Sequence, residues 1–202
     1  MVQIYQLDLP GPSLEFLQTI AQGIQSFDFD VSGKQWLDQQ NQTTNSADYL
    51  FFKQQQVDEF VAKEFGQFFR VPVGGIVGVM KNTGPDHANH PPHIDSVRSL
   101  AINYYVDLGG DAVDTTFYDV VEQTDGQSKN YPYKQVQDRK IGSVNFQKGC
   151  WYAYDVCRCH SVENITGTRN FISIVINDPC YRVQAFAQDY PELIRKQIVL
   201  HK

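Results

Sequence analysis

Residues 87 to 95 read HANHPPHID, which puts three histidines, two prolines and an aspartate into nine positions. Proline fixes its own φ near about −65° and steers the residue before it away from the helical region, so the run from His90 to His93 is expected to be extended. In an extended run His93 and Asp95 project to one face, while Ile94 points the other way into apolar packing. An imidazole and a carboxylate on one face suit a nitrogen/oxygen metal site. By ligand softness that pairing favours a transition metal over calcium or magnesium, and the absence of thiolate argues against a closed structural zinc site. On an isolated HxD, His87, His90 and His93 read more readily as loop histidines beside a turn, so the context decides.

That context lies in CRCHSVENITGTRNFISIVIND, residues 157 to 178. His160 precedes Arg169 by nine positions, with a Gly-Thr turn between them and a β-branched run after. If residues 158 to 160 are extended, His160 faces opposite to Cys159 and the CRCH cluster does not converge on one ion. Cys157 and Cys159 then read as small buried hydrophobes. A competing arrangement places zinc on His87, His90, His93 and a cysteine, and it predicts binding that survives loss of Asp95.

An HxD, a gap of some sixty residues, a histidine, an arginine nine positions on and a hydroxyl four beyond that resemble the iron(II)- and 2-oxoglutarate-dependent dioxygenases, in particular the prolyl 4-hydroxylases. The similarity runs over about residues 74 to 178 in five ordered pieces: HID, RSLAINYYVD, the Gly-Gly of LGGDAVDTTFY, GCWYAYDVCRCHSV and TRNFISIVIND. The resemblance implies a double-stranded β-helix, or jelly roll, in which His93, Asp95 and His160 hold Fe(II) and leave three positions open. It implies that 2-oxoglutarate takes two of these, that O2 takes the third, and that ascorbate is a candidate reductant. It further implies that Arg169 pairs with the distal carboxylate of 2-oxoglutarate, a role suited to a planar guanidinium that keeps its charge. Tyr105 matches the family's cosubstrate tyrosine and Ser173 its cosubstrate hydroxyl, and alternation places Asn103 beside Tyr105 on the more polar face.

The activity so implied is hydroxylation of a C–H bond coupled to decarboxylation of 2-oxoglutarate to succinate and CO2. A peptidyl proline is the first expectation for the substrate, and an amino acid, nucleotide or sugar derivative is the alternative. From a different class, the same residues would make a noncatalytic metal-binding jelly-roll module. Met80 or Lys81 stands where many prolyl hydroxylases carry a tyrosine, and the polar segment 122 to 140 is longer than a plain hairpin connection and reads either as a lid over a peptide or as a disordered hairpin tip. Lys81, Arg98, Trp151 and Arg158 are candidates for the mouth of the barrel and equally for solvated or packing positions.

These residues need a scaffold. The stretch 13 to 25, SLEFLQTIAQGIQ, opens on a Ser13 cap and spaces Leu14, Leu17, Ala21 and Ile24 for one amphipathic helix. Residues 29 to 48 read as a loop, and a second helix running to about Phe69 sets Val57, Phe60, Val61, Glu64, Phe65, Phe68 and Phe69 three or four apart, its aromatic stripe facing the core. From Pro72 the runs GGIVGVM, SLAINYYVD, TTFYDVV, KIGSVNF, CWYAYDV and NFISIVIND have the rhythm of an antiparallel sandwich or barrel. After Tyr190-Pro191 the run ELIRKQIVL reads as a short closing helix. The expected fold is mainly β with flanking α-helices, as one domain: 1–70 helical support, 72–180 jelly-roll core and 181–202 a C-terminal segment.

The 202 residues carry a net charge of −6, which offers no general footprint for a phosphate backbone, so nucleic acid is not an expected partner. The chain has no apolar run of membrane-spanning length, the opening MVQIYQLDLPGP lacks the regions of a signal peptide, and the four cysteines suit reduced thiols. A soluble cytoplasmic protein acting on a peptide, protein or small molecule is expected, with no membrane partner.

Overall fold

The computed structural model describes residues 1–25, 54–81, 90–95, 98–119, 139–178 and 180–201. In chain order the elements are β1 (Val2–Leu7), α1 (Leu14–Gln25), α2 (Gln54–Phe65), β2 (Val73–Lys81), β3 (His90–His93), β4 (Leu100–Leu108), β5 (Asp114–Tyr118), β6 (Lys140–Val144), β7 (Trp151–Asp155), β8 (His160–Glu163), β9 (Thr168–Ile176), α3 (Val183–Asp189) and β10 (Ile194–Leu200). The fold is mainly β. Its strands form a six-stranded sheet in the order β10-β1-β7-β4-β9-β2 and a four-stranded sheet in the order β3-β8-β5-β6. Every pairing is antiparallel.

Period-two alternation divides the larger sheet between two apolar layers. One face, with Val77, Val79, Ile102, Trp151, Ile172 and Ile174, packs with helical residues Phe16, Ile20, Val57, Val61 and Phe65. The other, with Met80, Ala101, Tyr105, Tyr152, Tyr154 and Phe171, packs with Phe117, Val144 and Val162 of the smaller sheet. Two glycines permit close approaches. A Cβ on Gly75 would lie 2.4 Å from a methyl of Val61, and one on Gly78 would lie 2.2 Å from the Phe171 ring.

Ser13 caps α1 as expected, its Oγ accepting the Phe16 N–H at 3.1 Å, and Glu64 of α2 accepts from both the Ser13 hydroxyl and the Ser13 N–H. The buried face of α1 differs from the expected one. Phe16 and Ile20 are buried, Leu17 is partly so, Ala21 is exposed and Leu14 is 71% exposed. Phe16 stacks on Phe60 of α2 with ring centroids 4.6 Å apart, and that aromatic contact sets the rotation of the helix. The Ile24 side chain and the loop read at 29 to 48 lie outside the described residues. In α2, Val57, Val61 and Phe65 form the expected stripe, and a 3-10 turn, Gly66–Phe68, ends it.

The two ends of the chain correct the expected boundaries. The first residues are not helical support: β1 pairs with both β7 and β10 inside the larger sheet. The expected closing helix is instead a 3-10 turn at Pro191–Leu193 followed by β10, whose β-branched residues pair with β1 in register from Val2↔Leu200 to Leu7↔Ile194. The helix lies earlier, at α3, where the Asp155 carboxylate accepts the Val183 N–H at 2.9 Å. No helix among the described residues is long and apolar enough to cross a membrane.

Candidate metal centre

β3 and β8 pair so that His93 lies opposite His160, and this long-range register brings the two histidines together. Beyond the end of β3, the Asp95 N–H donates to the Val156 carbonyl at 2.9 Å, holding the backbone extended. Asp95 Oδ1 then stands 3.4 Å from His93 Nε2 and 3.9 Å from His160 Nε2, and the imidazole centroids are 4.3 Å apart. One ligand atom from each residue falls within 4.8 Å of the others, close enough to hold one ion. Ile94 turns away, as expected, to pack with Tyr118 and Cys159.

The protonation states suit that use. His160 Nδ1 lies 2.9 Å from the Arg158 carbonyl, which can only accept, so Nδ1 carries the proton and Nε2 keeps its lone pair toward Asp95. Burial pushes the His160 pKa down to about 4, helped by the neighbouring His93, so the ring is neutral near pH 7. Burial works against the charge on Asp95, but the hydrogen bond with His93 and the charge of Arg98 help outweigh it and hold the carboxyl well below the usual range. Two imidazoles and a carboxylate are a nitrogen/oxygen donor set that a transition metal can take.

Arg169 lies on β9, 2% exposed, with its guanidinium carbon 4.7 Å above the Tyr105 ring. Its Nη2 reaches Thr115 Oγ1 only at 3.5 Å, and its Nε and Nη1 have no hydrogen-bond partner among the described residues. No carboxylate among the described residues pairs with it. A buried cation left this way is costly unless an anion arrives to meet it. Asn103 and Ser173 are directly opposite in the β4–β9 register. Asn103 Nδ2 donates to the Tyr154 hydroxyl at 2.9 Å, and that hydroxyl shares a 2.8 Å hydrogen bond with Tyr105. Burial, with Tyr105 beside it, holds the Tyr154 phenol protonated far above its ordinary pKa.

Ser173 is engaged by Arg98, whose Nη1 donates to its hydroxyl while Nε lies 3.4 Å from Asp95 Oδ2. Arg98 also lines a cleft of about 710 Å³ with Asp58, Glu59, Pro72, Ile76 and Val175. It is therefore a wall shared by the triad and the cleft, a more central place than the barrel mouth expected for it. Trp151 corrects its expected placement, because it belongs to the helix-facing layer and its Nε1 donates to the Pro10 carbonyl at 2.8 Å. The sequence reading also missed Tyr154 and Thr115. Alternation in WYAYD and DTTFY could have placed both on the Asn103 and Phe117 faces, but only with the strand registers in hand.

The described metal-binding group contains no cysteine; Cys159 instead sits on the Tyr118 side, its thiol pushed up to about 12 by burial. His87, the side chains of His90 and Lys81, and the lid read into 122 to 138 lie outside the described residues. No protein-family model matches this chain, and no curated protein matches it.

Proposed function

We propose that this chain is an Fe(II)- and 2-oxoglutarate-dependent dioxygenase that hydroxylates a C–H bond, with His93, Asp95 and His160 as the iron ligands. The observation that carries the reading is the buried Arg169 guanidinium of the larger sheet, left with two unanswered N–H groups while its Nη2 lies 3.5 Å from Thr115 of the smaller sheet, the sheet that carries both histidines of the His-Asp-His triad. Strand order adds to it. β2, β4, β7 and β9 lie in one sheet and β3, β5, β6 and β8 in the other, an order that supports the double-stranded β-helix reading.

When bound, iron, 2-oxoglutarate and O2 supply the oxidation, in which one oxygen atom enters the substrate C–H bond and 2-oxoglutarate leaves as succinate and CO2. The protein does the rest. His160, oriented by the Arg158 carbonyl, and His93 present imidazole nitrogens, and Asp95 presents a carboxylate. Arg169 takes the distal carboxylate of 2-oxoglutarate through a charge-assisted fork, while Tyr105 packs under the guanidinium and Asn103 and Tyr154 hold Tyr105 in place. The neighbouring cleft, about 710 Å³, is of the size that takes one side chain or a small molecule. Peptidyl proline is the first substrate to offer, and free amino acids follow; ascorbate serves as the reductant in the assay.

The test is an anaerobic titration of the apo protein with iron(II) and 2-oxoglutarate, monitoring the visible metal-to-ligand charge-transfer band in wild type and Arg169→Ala. A band in the wild type that weakens in the variant is expected. A folded wild type that gives no band would remove the oxygenase reading and leave the noncatalytic metal-binding module.

A further inference from the structure

The structure assigns Arg98 as the positioning residue that makes Asp95 a one-oxygen metal ligand, an inference that rests on the metal reading proposed above. Asp95 divides its two oxygens. Oδ1 faces His93 at 3.4 Å and His160 at 3.9 Å, whereas Oδ2 faces Arg98 Nε at 3.4 Å. A carboxylate with both oxygens available can chelate an ion and fill two coordination positions. With two histidines already bound, chelation would leave two positions of six, and a single oxygen leaves three.

Arg98 is itself held from two sides. Its side chain is 10% exposed, its Nη1 donates to the Ser173 hydroxyl, and that hydroxyl donates onward to the Ile102 carbonyl at 3.4 Å. The guanidinium is thus fixed to β4 and β9, the centre of the larger sheet, and through it the outer oxygen of Asp95 is fixed as well. This matters because Asp95 lies past the end of β3, where no strand pairing restrains its side chain. Arg98 sits three residues further on, so the contact is local in sequence, but its anchor on Ser173 is 75 residues away. A ligand carboxylate held by its outer oxygen keeps its orientation while other ligands come and go.

The experiment uses Mn(II) alone, at saturating concentration, and counts metal-bound waters by proton relaxivity in wild type, Arg98→Met and Arg98→Lys. Wild type is expected to hold three exchangeable waters. Arg98→Met, which keeps an unbranched stem but no donor, frees Oδ2 to chelate, and relaxivity falls by about one third. Arg98→Lys keeps a cationic donor and restores most of the loss. If Arg98→Met loses the native circular dichroism, Arg98→Leu, which also lacks a donor, carries the same expectation. A folded variant without the donor that binds Mn(II) with wild-type relaxivity overturns the assignment and leaves the metal reading intact. A wild type that binds no Mn(II) overturns both.

Discussion

On β8, His160 turns toward the larger sheet while Ser161 and Glu163 turn away from it, and the polar groups of the two faces are satisfied very differently. On the outer face the Tyr118 hydroxyl donates to Glu163 at 2.8 Å, the Ser161 hydroxyl reaches the same oxygen at 2.8 Å, and Thr116 pairs with Ser143 at 2.8 Å. On the inner face Arg169 leaves Nε and Nη1 without partners and Asn103 leaves Oδ1 without one. Depth does not separate them, since Ser161 is 1% exposed and Arg169 is 2%. Buried polar groups that answer one another hold a fold together, and buried groups left open are tolerated where something else must bind. By that criterion the outer cluster is structural, and the inner one fits the proposed cosubstrate site.

The sharpest way to break this comparison is Arg169→Met. Loss of charge-assisted hydrogen bonds worth about 1.5–3 kcal/mol each is expected to weaken 2-oxoglutarate binding to the iron-loaded protein at least about 100-fold in a calorimetric titration. Removing an unpaired buried cation should leave the thermal midpoint of the apo protein unchanged or higher. A midpoint several degrees lower, with 2-oxoglutarate affinity kept, would make Arg169 structural and erase the distinction.

Tyr118→Phe probes the other face. Loss of its hydroxyl is expected to cost about 1 kcal/mol in urea unfolding, with no change in metal or 2-oxoglutarate binding. An altered binding constant would show that the two faces are coupled through β8.

The smallest expected effect is a pH dependence at Glu163. Burial works against its charge, yet hydrogen bonds from Tyr118, Ser161 and Thr116 and the charge of Lys140 lower its pKa below the ordinary value. A carboxyl with a depressed folded-state pKa contributes stability that is present above its unfolded value, about 4.3, and is lost as pH falls through the folded value. The stability gap between wild type and Glu163→Gln should therefore be widest near pH 7 and close on acidification. A gap that is the same at both ends of that titration would show that the hydrogen bonds act without the charge.

Local rules made much of the site legible in the sequence. Proline-enforced extension and alternation put His93 and Asp95 on one face and Ile94 on the other, and the same alternation separated His160 from Cys159 and aligned Arg169 with Ser173. The Ser13 cap and the Val57, Val61 and Phe65 stripe followed from spacing alone. These features depend on residues within one or two turns or pleats of each other, so a short stretch of sequence determined them.

Tertiary structure decided the rest. β10 is a strand because β1 lies beside it, although its own residues also suit a helix. The face of α1 was set by Phe60, and the convergence of His93 with His160 by a strand register. Arg98 could be read only as one charge among several, because its partner Ser173 is 75 residues away. Backbone pairing and side-chain reach across such distances are fixed by the packing of the whole sheet, whereas local sequence pattern specifies only which face a residue takes.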